Sequence, residues 1–229
     1  MCFLSATSNA ESFLDRAEVG AYFDELSQSN GFSKKHLEEI FSNHKPNLKI
    51  LELMSRPAEK RLEWHEYRKI LVDERRVSLG IRFWEDNLKA LEDAERVFGV
   101  SPEVIVAIIG VETRYGKIMG SFLVAEALAT LAFDFPSRAD FFRKELTNYL
   151  ILTRSQNLDP LSLKGSYAGA MGYGQFMPSS YQAYAVDFDG DGFKDIWNNK
   201  ADAIGSVANY FSEHGWQGHG RWLSLCRSE

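Results

Sequence analysis

Cysteine is nearly absent: the 229 residues hold two, Cys2 and Cys226, at opposite ends of the chain. That excludes a disulfide-dense scaffold and any thiolate metal site built on close cysteine spacing. The pair reads as free thiols, with a bridge between them left open. Six prolines are scattered, so there is no proline-rich linker, and no internal repeat or low-complexity tract is present. No apolar run approaches the length of a membrane-spanning helix. The first residues, Met1 to Ala6, lack the charged region and long apolar stretch of a signal peptide, and no lipobox precedes Cys2. Positive charge is also in deficit. A net charge of −6 excludes a function driven by binding to phosphate backbones. The short basic pairs Lys34-Lys35 and Arg75-Arg76 are flanked by acids and read as solvated helix faces.

What is present is ordinary soluble-protein material, 45% hydrophobic and 25% charged, with enough length for one large or two small domains. Aromatics make up 13%; many belong to the core, and some suit a groove for the apolar faces of sugar rings. The first half reads as helices. Apolar residues from Glu11 to Gln28 recur at helical spacing, Ser33 caps a second helix through Phe41, and Pro46 follows as a stop. Residues 58–98 predict one or two long amphipathic helices. Ser101-Pro102-Glu103 then predicts a capped start to an apolar helix buried on most faces and ended by Gly116. Further helices are expected at Ser121–Leu131, Ala139–Ser155 and Asp202–His214, with a loop from Gly165 to Tyr184 and no convincing strands. The expected fold is mainly α.

Three features carry chemistry. Glu112 is a carboxylate at the end of the apolar helix, where burial and the negative helix terminus both disfavour its charge. A raised pKa of this kind suits a general acid. The alternatives are a surface acid at a frayed helix end, or an ion-pair partner of Arg114 or Arg138. The second feature, Gly165 to Ser180, has four glycines in its first ten residues, with Ser166, Gln175 and tyrosines among them. Glycines let backbone amides approach a ligand, and the absence of lysine excludes a phosphate-cradling P-loop. The third is Asp187-Phe188-Asp189-Gly190-Asp191-Gly192-Phe193, with Asp195 following. Aspartates at positions 1, 3, 5 and 9, glycine at 6 and the Phe193 carbonyl at 7 match an EF-hand calcium loop. Position 12 is Asn198 in place of glutamate, and Asp202 is a candidate to substitute for it. Whether Asp195 or Asn198 also binds stays open.

Tyr67 to Lys69, Phe83-Trp84, Gly99 to Gly116, Ala125 to Leu131, Gly165 to Tyr184, the acidic loop and Asp202 to Phe211 occur in order. Together they resemble the membrane-bound lytic murein transglycosylase B family over residues 60–217. The resemblance implies a lysozyme-like core domain (76–229) preceded by a helical domain (1–75). It implies cleavage of the MurNAc–GlcNAc bond of peptidoglycan with a 1,6-anhydromuramoyl product. Glu112 would act first as acid and then as base, and no second carboxylate is needed if the substrate's acetamido group assists. Tyr67, Ser166 and Gln175 resemble substrate-groove residues. Arg138 resembles one of a basic pair whose other position holds Ser137. Calcium is expected and no organic cofactor. The partner is the glycan strand, with the protein a monomer, and the location is periplasmic or outer-membrane-associated. The family pattern continues past His214-Gly215-Trp216, whereas Arg221 to Glu229 does not follow it, so a missing C-terminal segment is expected. That expectation motivates two alternatives: a non-catalytic, calcium-stabilised peptidoglycan-binding remnant, and a two-carboxylate muramidase pairing Glu112 with Glu126 or Asp134.

Overall fold

The computed structural model describes residues 12–56 and 63–218; Cys2, Cys226 and the segment from Arg221 onward lie outside them. The described chain is helical, as the sequence predicts. A 3-10 turn at Phe13–Asp15 leads into α1 (Ala17–Asn30), which Gly31 ends in the left-handed conformation. Ser33 caps α2 (Lys34–Phe41), its side chain accepting the His36 N–H as expected. Helix α2 ends at Phe41, ahead of Pro46 as expected, and the chain then enters a helix not anticipated from the sequence, α3 (Leu48–Ser55), with Asn47 accepting the Lys49 N–H. The predicted long amphipathic stretch is three helices: α4 (Trp64–Leu71), α5 (Glu74–Asp86) and α6 (Leu88–Phe98). Asp73 caps α5 through the Arg76 N–H, and Asn87 separates α5 from α6.

Next come α7 (Pro102–Thr113), α8 (Val124–Asp134), α9 (Ala139–Ser155), α10 (Pro178–Tyr184) and α11 (Lys200–Glu213). Helix α9 has the predicted bounds. Helix α10 replaces the C-terminal part of the predicted loop, because Pro178 sits at the first helical position, where its missing N–H costs nothing. Strand content among the described residues is limited to two segments of two residues, Phe122–Leu123 and Lys164–Gly165.

The chain forms two compact units that interleave in sequence. They differ from the contiguous division at residue 75, because α8 and α9 group with the N-terminal helices. The described part of the first unit is 12–55, 122–163 and 167–169. Leu128, Leu131, Leu146 and Tyr149 are fully buried there. An aromatic cluster joins Phe13 to Phe41 and Phe133 (ring centroids 6.3 and 6.2 Å), and Tyr22 meets Phe133 at 5.6 Å. Arg16 closes this cluster, donating from one terminal nitrogen to both Asp134 oxygens at 3.0 and 2.9 Å.

The described part of the second unit is 56, 63–121, 164–166 and 170–218, built around α7. The expectation that α7 is buried on most faces needs correction. Ile105, Val106, Ile109, Gly110 and Thr113 form one buried stripe, whereas Glu103, Ala107 and Val111 are exposed, Val111 by 45%. Helix α7 packs against α5, α6 and α11, and the face carrying Glu103, Ala107 and Val111 is left exposed. Ser101 occupies the cap position, but its hydroxyl makes no capping bond. The helix also ends earlier than Gly116, since Arg114 and Tyr115 are already left-handed at φ 50° and 60°. The Tyr115 ring holds this turn by lying where a Cβ on Gly110 would come within 2.5 Å of its hydroxyl.

Candidate functional site

Glu112 is the penultimate residue of α7, one turn beyond Ile108, and both line a cavity of about 330 Å³. Its far side comes from Gly174, Gln175, Phe176 and Met177 of the glycine-rich loop and from Ser180 of α10. Helix α11 adds Val207, Tyr210 and Phe211. Glu112 stands at the open edge, exposed on one side. Its carboxylate has no hydrogen bond or ion pair among the described residues, so the ion-pair alternative with Arg114 or Arg138 is not what the structure contains. Partial burial against the cavity walls pushes its pKa above the ordinary glutamate value. No other carboxylate is among the described residues lining the cavity.

Thr113, the residue after Glu112, anchors the end of α7. Its hydroxyl lies 2.9 Å from the Tyr173 carbonyl and 3.1 Å from that of Ile109, and it accepts the Gly116 N–H at 3.0 Å. One buried side chain therefore ties the end of α7 to the glycine-rich loop. That loop is itself a tight reversal. Met171 and Phe176 exchange both backbone hydrogen bonds at 2.9 Å, and the Tyr173 N–H donates to the Ile196 carbonyl. Gly172 has φ 68°, and a Cβ there would come within 2.5 Å of the Ile196 carbonyl, so glycine is required on both counts. Gln175 turns left-handed at φ 51° and gives its amide N–H groups to the Met119 and Gly172 carbonyls at 3.3 and 3.0 Å.

Gly120, also left-handed at φ 95°, abuts the Gly165 carbonyl so closely that a Cβ would collide with backbone. Gly120→Ala is expected to destabilise by at least about 2 kcal/mol, combining a strained φ with an overlap that no rotamer relieves. Urea unfolding measures this, and an unchanged midpoint would refute the close approach.

Tyr210 anchors the aromatic wall. It stacks on His214 at 4.1 Å, meets the Tyr184 edge at 5.1 Å, and lies 5.8 Å from Phe176 and from Phe211. Sequence reading did not single out Tyr210, Phe211, Met177 or Ser180. The spacing 207, 210, 211 on one helix was the signal for the wall.

Of the other predicted site residues, Gln175 shares the cavity with Glu112 and Ser166 does not line it. The Ser166 hydroxyl accepts the Ala170 N–H at 3.0 Å, closing the start of the loop. Arg138 belongs to the first unit, its guanidinium over the Phe141 ring at 4.3 Å. Tyr67 lies on α4, and its side chain falls outside the described residues. Asp134 has both oxygens engaged by Arg16.

In the acidic loop, carboxylate oxygens of Asp187, Asp189 and Asp202 lie within 4.8 Å of one another. Asp191 is outside that trio; its Oδ1 accepts the Phe193 N–H at 2.8 Å. Asp202 is fully buried at the start of α11 and accepts the Phe188 and Asp195 N–H groups at 2.7 and 2.8 Å. Burial raises its pKa, and the neighbouring Asp189 charge adds to this against the opposing backbone hydrogen bonds. Asp195 accepts from the Trp197 and Asn198 N–H groups, and the Asn198 amide turns back onto Asp195. Asn199, unremarked in the sequence, caps α11 and donates to Asp189 at 2.7 Å.

The family model described as "Transglycosylase SLT domain" matches residues 15–228, so it also takes in Arg221 to Ser228, the part of the tail expected to depart from the family pattern. Membrane-bound lytic murein transglycosylase B of Escherichia coli K12 is 46% identical over 213 residues, 89% of this chain and 59% of that protein. The chain thus spans less than two thirds of this relative's length. A crystal structure of a soluble lytic transglycosylase from Pseudomonas aeruginosa superposes with a TM-score of 0.87 at 51% identity, covering 89% of this chain and 68% of that one. An Escherichia coli lytic transglycosylase solved in complex with calcium gives 0.87 at 44% identity, covering 96% and 71%. No helix among the described residues is long and apolar enough to cross a membrane.

Proposed function

Because the chain belongs to the transglycosylase SLT domain family, we propose that it cleaves the MurNAc–GlcNAc bond of peptidoglycan by a one-carboxylate mechanism centred on Glu112. The observation that carries this reading is one carboxylate, without a partner among the described residues and with its pKa raised by burial, in a cavity walled by aromatic side chains. A protonated Glu112 donates its proton to the glycosidic oxygen as the C1–O bond breaks. The substrate's acetamido oxygen takes up the developing positive charge at C1. Glu112, now ionised, accepts the proton of the muramoyl 6-hydroxyl while O6 bonds to C1, which closes the 1,6-anhydro ring and restores the acid.

Phe176, Tyr210 and Phe211 supply flat apolar surface for sugar faces. Gln175 acts by bracing the loop through its amide N–H groups, and its side-chain oxygen is the atom left to meet a sugar. Tyr67, Ser166 and Arg138 remain groove candidates by resemblance. The glycan strand is the partner, and the site of action is the periplasmic or outer-membrane face where that polymer lies.

The acidic loop is assigned to a structural calcium ion held by Asp187, Asp189 and Asp202, with Asp191 and the Phe193 carbonyl as further donors. The fit rests on a buried, desolvated Asp202 facing two other carboxylates, an arrangement that a hard cation neutralises. Bound there, the ion would supply charge neutralisation and loop rigidity, and no step of the cleavage involves it.

Mass spectrometry of soluble products from purified sacculi tests the reading. Anhydromuropeptides are the expected result. Products with reducing ends would replace it with a two-carboxylate hydrolase, and sacculus binding without product would replace it with a non-catalytic binder.

A further inference from the structure

A second cavity, of about 220 Å³, lies between the start of α5 and the turn that ends α7. Its lining holds four cations, Arg75, Arg76, Arg114 and Lys117, and one acid, Asp73, with Leu79 and Ile118 as apolar walls. This concentration stands out in a chain whose net charge is −6. The sequence expectation of a solvated face at Arg75-Arg76 holds for Arg75 alone, because Arg76 is only 8% exposed.

The Arg76 guanidinium donates through Nη1 to the Leu71 carbonyl at 3.1 Å, and its buried Nε has no partner among the described residues. Asp73 accepts the Arg76 N–H through Oδ1 at 2.8 Å as the cap of α5, and makes no ion pair with the Arg76 guanidinium among the described residues. Arg75, Arg114 and Lys117 make no ion pair among the described residues. A buried guanidinium that makes no ion pair among the described residues, and that shares its cavity with three further cations and one acid, is costly unless an anion completes it. The placement is also built. Arg114 reaches the cavity from a left-handed backbone at φ 50°, a conformation that non-glycine residues rarely adopt and that the neighbouring Tyr115 shares.

We propose that this cavity is an oxyanion-binding site, distinct in its lining from the cavity of Glu112, that takes a carboxylate or phosphate group. The planar, forked guanidinium of Arg76 suits two oxygens of one group, and Arg114 and Lys117 complete the charge from the solvent side. Leu79 and Ile118 suit a short aliphatic stem on the bound group.

The test is calorimetric titration of the full chain at constant ionic strength with inorganic phosphate, with a dialanine peptide bearing a free C-terminus, and with its amidated form. Saturable binding of phosphate or of the free-carboxylate peptide is expected, without binding of the amide. Arg114→Asn, which keeps a residue tolerant of the left-handed turn, and Lys117→Gln should each weaken binding about tenfold. Tighter binding of phosphate assigns the site to a free anion, and tighter binding of the peptide assigns it to a peptide carboxylate. Arg76→Met should abolish binding; if it fails to fold, the two surface variants carry the test. No saturable binding of either anion, equal binding of the amide, or unchanged affinity in both surface variants overturns the proposal. The readout is binding alone, so it stands or falls independently of peptidoglycan cleavage.

Discussion

Glu112→Gln should lower the rate of product release from sacculi by about 10²–10⁴-fold, the range that a positioned general acid contributes. The fold should be unaffected, because the Glu112 carboxylate makes no hydrogen bond or ion pair among the described residues and glutamine is nearly isosteric. The sign of the pH effect separates a catalytic acid from a structural one. Burial raises the pKa of Glu112 in the folded state, so the native protein binds its proton more tightly than the unfolded chain does. Stability from this group is therefore greatest below the unfolded pKa and declines as pH rises toward the folded one. Above that window the ionised, partly desolvated carboxylate destabilises slightly, and Glu112→Gln should be as stable as the parent or more so at neutral pH. Activity should fall as pH rises through the same raised pKa, because the first step needs the protonated form. Equal rates for parent and variant would sink the assignment of Glu112. So would a variant that loses activity together with a large drop in melting temperature, which would mark the residue as structural.

The prominence of Glu112 in the sequence has a physical basis: a lone acid ending an apolar helix is an exception, and exceptions are visible without a structure. Its surroundings were less legible for the opposite reason. Tyr210 and Phe211 resemble core aromatics on an amphipathic helix, and only the fold of the 171–176 reversal leaves one side of them open to a cavity. Periodicity located α1 and α2 because each carries a regular buried stripe. It could not resolve α7, whose residues are apolar all round. Which of those faces is covered depends on the partners α5, α6 and α11, and Val111 is left 45% exposed. Helices α3 and α10 were hidden behind Pro46 and Pro178, read as a stop and as part of a loop. Proline at the first turn of a helix does the reverse, and Pro178 is such a case. The grouping of α8 and α9 with the N-terminal helices was beyond the sequence, since contiguity along the chain is no guide to contiguity in space.

Calcium should raise the unfolding free energy by about 3–4 kcal/mol at concentrations 100–1,000 times its Kd, and a chelator should remove the gain. The argument runs through Asp202. Its two oxygens each accept a backbone N–H, from Phe188 at 2.7 Å and Asp195 at 2.8 Å, while lying in the trio with Asp187 and Asp189. Without a cation, three carboxylates lie together with one of them fully buried; burial raises the Asp202 pKa, and the Asp189 charge adds to it. Asp202→Asn relieves part of the repulsion but places an amide NH₂ against one of the two N–H donors. It should therefore lose about 1–3 kcal/mol in the absence of metal, the cost of a buried donor left unsatisfied. It should also lose the calcium response. Asn198, at the position where an EF-hand usually offers a bidentate glutamate, donates its amide to Asp195. An Asn198→Ala variant should consequently keep most of the calcium response. Thermal unfolding followed by circular dichroism, with calcium and with chelator, decides between these outcomes. A parent protein whose melting temperature ignores calcium would return the acidic loop to a hydrogen-bonded turn. An Asp202→Asn variant that still responds would move the site away from α11 and onto Asp187, Asp189 and Asp191 alone.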